Sequence, residues 1–116
     1  MSNQIISEGL IASIVATATG DNVCIATQGS TRSIVVNAFN IVANTATANM
    51  VASLQPSGTT TAHFTNHMIT KGQRVDVVLG GKGTGWTLPK NSGLDLNMST
   101  AGSLAVDIVY SIVDDI

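Results

Sequence analysis

The run Leu104-Ala105-Val106-Asp107-Ile108-Val109-Tyr110-Ser111-Ile112 constrains the fold more than any other stretch of this 116-residue chain. Leu104, Val106, Ile108, Tyr110 and Ile112 share one parity, and Asp107 and Ser111 share the other. Successive side chains point to opposite faces only in an extended strand, so the period of two predicts a strand with one face on a core. The same pattern recurs where Val75, Val77 and Leu79 oppose Arg74 and Asp76. It recurs again where Leu94, Leu96 and Met98 oppose Asp95, Asn97 and Ser99. No window sustains a helical period. Turn signals at Gly20-Asp21, Gln28-Gly29-Ser30, Pro56-Ser57-Gly58, Lys71-Gly72, Gly80–Gly85, Asn91-Ser92-Gly93 and Ala101-Gly102 divide the chain into short Val/Ile/Thr-rich pieces. The expected fold is all-β: a jelly-roll-like β-sandwich of short antiparallel strands, one domain over residues 1–116.

Two stretches depart from clean alternation. From Ser33 to Ala43 both parities are apolar: Ile34, Val36 and Ala38 on one, Val35, Phe39 and Ile41 on the other. Such a strand is covered on both sides or lies at a subunit contact. Asn37 and Asn40 interrupt the two faces and suit a partly polar interface, so Val35, Asn37, Phe39 and Ile41 are interface candidates. Residues 1–30 are also apolar and read either as an N-terminal arm or as extra strands of the sandwich.

Composition narrows the function classes. With 44% hydrophobic and 10% charged residues the chain is no disordered polyelectrolyte. Its net charge of −2 and five scattered Lys and Arg residues give no footprint for nucleic acid. No stretch approaches the ~20 apolar residues that cross a bilayer as a helix, so no membrane partner is expected. Thr, Ser, Asn and Gly fill the polar positions, and such a weakly charged skin is easily desolvated in an assembly. Ala16-Thr17-Ala18 mimics a signal-peptidase site, but no basic residue precedes Arg32. Cys24 stands alone, which excludes an internal disulfide and a Cys-based zinc site and suits synthesis in a reducing cytoplasm. Within Val23-Cys24-Ile25 it reads as a small buried hydrophobe.

Candidate chemical motifs fail on spacing. Gly80-Gly81-Lys82-Gly83-Thr84-Gly85 is followed by Trp86-Thr87-Leu88-Pro89, so it lacks the helix that a phosphate-binding loop requires and reads as a flexible connection. His63 and His67 would sit ~13 Å apart on a strand, too far to share an ion. No Gly-x-Ser-x-Gly elbow is present, and the Asp114-Asp115 pair lies at the chain end. No catalytic residue, cofactor or metal is expected. Trp86, the single Trp, reads as a cap on one end of the sandwich, or as an interface anchor or sugar-stacking platform.

One resemblance adds to this reading. A Gly-rich loop leads into Gly85-Trp86-Thr87-Leu88-Pro89, then Asn91-Ser92-Gly93-Leu94-Asp95-Leu96-Asn97-Met98-Ser99, Ala101-Gly102-Ser103 and the strand Leu104–Tyr110. With Ile34–Ala43 and Met50–Leu54 ahead of it, this cadence over residues 32–113 resembles small jelly-roll decoration (cement) proteins of tailed bacteriophage capsids. The resemblance implies a non-enzymatic virion protein, synthesised in the host cytoplasm. On the capsid exterior it would bridge subunits of the major capsid protein, as a homo-oligomer, typically a trimer. The alternative is a receptor- or carbohydrate-binding module of a phage tail or spike, using Trp86 and the glycine loop.

Overall fold

The structure, a computed structural model, describes residues 3–45, 50–59, 62–68, 70–81 and 83–115. The described residues form strands β1 (Asn3–Ala16), β2 (Gly20–Ile25), β3 (Arg32–Thr45), β4 (Val51–Pro56), β5 (Phe64–His67), β6 (Arg74–Val78), β7 (Trp86–Thr87), β8 (Leu94–Met98) and β9 (Ser103–Asp115). None of them is helical. The strands make two antiparallel sheets. Sheet A has the order β1-β9-β3-β6, with β7 also paired to β3, and sheet B has the order β2-β8-β4-β5.

One long ribbon explains this order. Asn3↔Asp115, Gly20↔Met98, Ala38↔Val78 and Val51↔His67 are all centred on nearly the same point of the chain, close to Thr59. The first half therefore runs back along the second as a single hairpin. Its tip is the turn after Pro56, where Gly58 takes φ +79° and Thr59 donates its backbone N–H to the Pro56 carbonyl. Rolling this ribbon up brings β3 beside β9 and β4 beside β8, which completes the two sheets. The result is a jelly roll, the double-sheet solution that packs two half-apolar sheets face to face.

The alternating segments sit as their period demands. Leu94, Leu96 and Met98 from β8, and Leu104, Val106 and Ile108 from β9, are fully buried between the sheets. Val75 and Val77 point to the same core, while Arg74, Asp76 and Val78 are exposed. Residues 3–16 and 20–25, open as arm or strands in the sequence, are the edge strands of the two sheets.

β3 resolves its two-faced pattern with a bulge. Against β9 the register shifts between Val36 and Ala38, which leaves Asn37 as the extra residue. Ile34 and Val36 before the bulge, and Phe39, Ile41 and Ala43 after it, all face the core. Asn37 then stitches the loop after β6 onto the sheet. Its carbonyl accepts from the N–H groups of Leu79 and Gly80, its amide donates to the Thr84 carbonyl, and Ser111 donates to its Oδ1. The glycine loop is thus anchored rather than a free connection. A Cβ on Gly85 would overlap the Val36 carbonyl oxygen, and one on Gly80 would lie 2.6 Å from that of Thr84.

Candidate interaction surfaces

The two outward sheet faces differ in chemistry. Sheet B is closed by side-chain hydrogen bonds: Gln55 and Asn97 both donate to Asp21, and Ser57 donates to Asp95. Gln55 and Asp95 are buried beneath this network although they point away from the core. Polar groups there are satisfied by one another, and Val23, 62% exposed beside Asp95, is the large apolar side chain exposed on this face among the described residues.

Sheet A presents apolar side chains instead. Pairing sets Ile11 beside Val109, Val109 beside Ala38, and Ala38 beside Val78. This row crosses four strands, or ~14 Å at the usual strand spacing. Ile11 is 68% exposed and Val78 82%, with Val109 exposed between them. The next row is polar, Ser13–Asp107–Asn40–Asp76, with the Ser13 hydroxyl donating to Asp107. Beyond it lie Val15, Ala105, Val42 and Arg74, and the Arg74 Nε donates to both Asp76 carboxylate oxygens.

A shallow depression of about 270 Å³ runs along the apolar row, between Glu8, Gly9, Ala38, Gly80, Gly81 and Val109. The Oδ1 of Asn40, in the adjoining row, is buried and has no hydrogen-bond partner. An unmet acceptor costs about 1–3 kcal/mol. A donor from a docked partner would relieve that cost.

A second feature lies on the open side of the sandwich, between β7 and β5. The Trp86 indole faces inward from β7 and meets Phe64 edge-on at 5.5 Å, and Phe64 in turn meets Phe39. His63 stacks flat on Trp86, with ring centroids 4.2 Å apart and planes within 5°. Trp86 therefore caps the core, and the imidazole occupies a face of the indole that a sugar would need. A small recess remains between Pro56, Thr59, Ala62, His63 and Trp86.

Of the interface residues read from sequence, Asn37 lines the depression on sheet A and Trp86 the recess beside His63. Val35, Asn37, Phe39 and Ile41 are all buried within the chain, and Trp86 is half-buried. Phe39 and Ile41 face sheet B, while Asn37 lies beneath the loop after β6. The large apolar side chains exposed on sheet A include Ile11, Val15, Val78 and Val109. Part of their signal was present: Val109 and Val78 are apolar at positions whose parity also carries Asp107, Ser111, Arg74 and Asp76.

The other motifs are placed as follows. His63 and His67 are both exposed at the ends of β5. Among the described residues no three His, Cys, Asp or Glu side chains gather as a metal site. Cys24 is buried, and desolvation, with the Asp95 charge adding to it, pushes its thiol up to about 12. Asp114 pairs with Arg32 at 3.5 Å. The side chain of Asp115 and the loop residue Lys82 lie outside the described residues.

Compared with known proteins, the chain matches no family model and no curated protein.

Proposed function

We propose that this protein is a decoration (cement) protein of a tailed bacteriophage capsid, non-enzymatic and docked on the exterior of the assembled head. It would be made in the host cytoplasm and bridge subunits of the major capsid protein as a homo-oligomer. The observation that carries this reading is the apolar row Ile11–Val109–Ala38–Val78, in which Ile11, Val109 and Val78 are exposed. Scattered exposed apolar residues are ordinary, but a contiguous row across four strands marks a contact surface. The fold itself hosts many functions and adds no weight by analogy. Each contact would be shallow, and repetition over a lattice multiplies weak contacts through avidity. Binding only the expanded lattice would stabilise that state by mass action.

The test is a binding measurement on expanded phage heads. The wild-type protein should bind them and raise their disruption temperature, and Val109→Lys with Val78→Lys should lose both effects. No binding by the wild type to heads of any candidate phage, or full binding by the double variant, would sink the proposal. The glycan-binding alternative has less support, because His63 covers a face of Trp86. It predicts glycan-array signals that disappear in Trp86→Ala.

A further inference from the structure

β1 is the outer edge of sheet A: it pairs with β9 on one side and with no described strand on the other. The other sheet edges are short, six residues in β2, four in β5, five in β6 and two in β7. β1 has fourteen. Ile5, Ile6, Ile11 and Val15 on this one strand are all large exposed hydrophobics. Proteins usually blunt such an edge with Lys, Pro, charges or bulges, because unpaired N–H and C=O groups invite another chain. Between Asn3 and Ala16 there is no Lys, Arg or Pro and one charge, Glu8. The register shifts end before Leu10, near Gly9 with φ +69°, so Leu10–Ala16 is an unbroken ladder with an open side.

We propose that Leu10–Ala16 pairs antiparallel with the same segment of a second copy of this chain, about a two-fold axis at Ser13. A two-fold contact must be self-complementary. Leu10-Ile11-Ala12-Ser13-Ile14-Val15-Ala16 meets that condition, with an apolar residue at every position on either side of Ser13. In this register Ile11 of one copy lies opposite Val15 of the other, and Ala12 opposite Ile14, a small residue against a large one. The apolar row of one copy then continues into the Val15–Ala105–Val42 row of its mate. Charge permits the contact. Each Asp107 lies one strand in from Ser13, so the two carboxylates are three spacings apart, ~14 Å, beyond the ~8 Å Debye length of physiological salt. Moving the axis to Ile11 would set Glu8 opposite Ile14, whereas an axis at Ser13 leaves Glu8 outside the ladder.

Seven residues a side are fewer than the roughly 20–30 of a standard interface, so the pair should be reversible, with micromolar affinity. This contact stands whether or not a capsid is the target. It also gives an even number of copies, unlike the trimer that the resemblance implies.

Sedimentation of the full chain over a range of about 1 µM to 500 µM, bracketing micromolar affinity, tests the idea. The mass should rise from 11.9 kDa towards twice that value. Ile11→Lys with Val15→Lys should remain monomeric, while Val78→Lys on the far edge should dimerise as the wild type does. Should the double variant fail to fold, cross-linking decides. Ser13→Cys should give a disulfide-linked dimer on mild oxidation, because facing Cα atoms of antiparallel strands lie about 4.5–5.5 Å apart. Val15→Cys alone should not, since its own copy would be ~14 Å away along the ladder. A chain that stays monomeric at the highest concentration, a trimer, or cross-linking through Val15→Cys in place of Ser13→Cys would overturn the proposal.

Discussion

Cys24 shows how much one buried side chain reveals about its surroundings. Its sequence neighbours suggest a small hydrophobe, and the structure places it at 9% exposure on β2 with the charge of Asp95 nearby. Both effects oppose the thiolate, so the folded chain holds the proton up to about 12, against an ordinary 9.0. The unfolded chain releases it above about pH 9, so ionisation favours unfolding from there upward. Stability should be unaffected by this group below pH 9 and fall by about 1.4 kcal/mol per pH unit between 9 and 12. Urea unfolding of wild type and Cys24→Ala at pH 8 and pH 10.5 measures the effect. The difference between the two proteins should shift towards the variant at the higher pH. Equal pH dependence would show that the thiol is not protected. Gly85 makes a similar point: at φ +144°, a Cβ there would overlap the Val36 carbonyl, a neighbour that is remote in sequence.

Among the elements, β6, β8 and β9 were legible because one of their faces is wet or hydrogen-bonded and the other dry, which stamps a period of two on the residues. β3 was not. Its Val35 and Asn37 look like an outward face, yet the loop after β6 lies across that end and is bonded to Asn37. A covering segment more than forty positions away leaves no mark in local periodicity. The bulge itself should be sensitive. Asn37→Ala would strip the Thr84 carbonyl of a donor and the buried Ser111 hydroxyl of its acceptor. A lost hydrogen bond of this kind costs about 0.5–1.5 kcal/mol, so we expect a total loss of roughly 1–3 kcal/mol. Asn37→Asp also loses the donor to Thr84 and buries a carboxylate against that carbonyl, so it should cost at least as much. Chemical denaturation of the two variants measures both losses. A change below about 0.5 kcal/mol in Asn37→Ala, the size of an ordinary surface substitution, would mean that the bulge is held by backbone bonds alone.

At the scale of the molecule the ribbon sets the folding problem. Its outermost rungs join Asn3 to Asp115 and Gln4 to Asp114, and even the inner pair β3–β6 closes dozens of residues. Non-local pairing must overcome loop-closure entropy before it is rewarded, so refolding should take milliseconds to seconds, as in other all-β sandwiches. Stopped-flow Trp86 fluorescence reads this directly, and folding in microseconds would contradict the ribbon's role as the slow step. The same scale divides what sequence decides from what assembly decides. Alternation, turn residues and the lack of a helical period determine that this chain makes strands with one dry face, because side-chain direction in a strand follows from backbone geometry alone. They also determine that it presents few charges. Which apolar residues end up dry is another matter. Val35 is hidden and Val109 exposed, although both point outward from neighbouring strands of one sheet. Only the tertiary structure makes that choice, since burial depends on what covers a residue and not on what adjoins it in the chain.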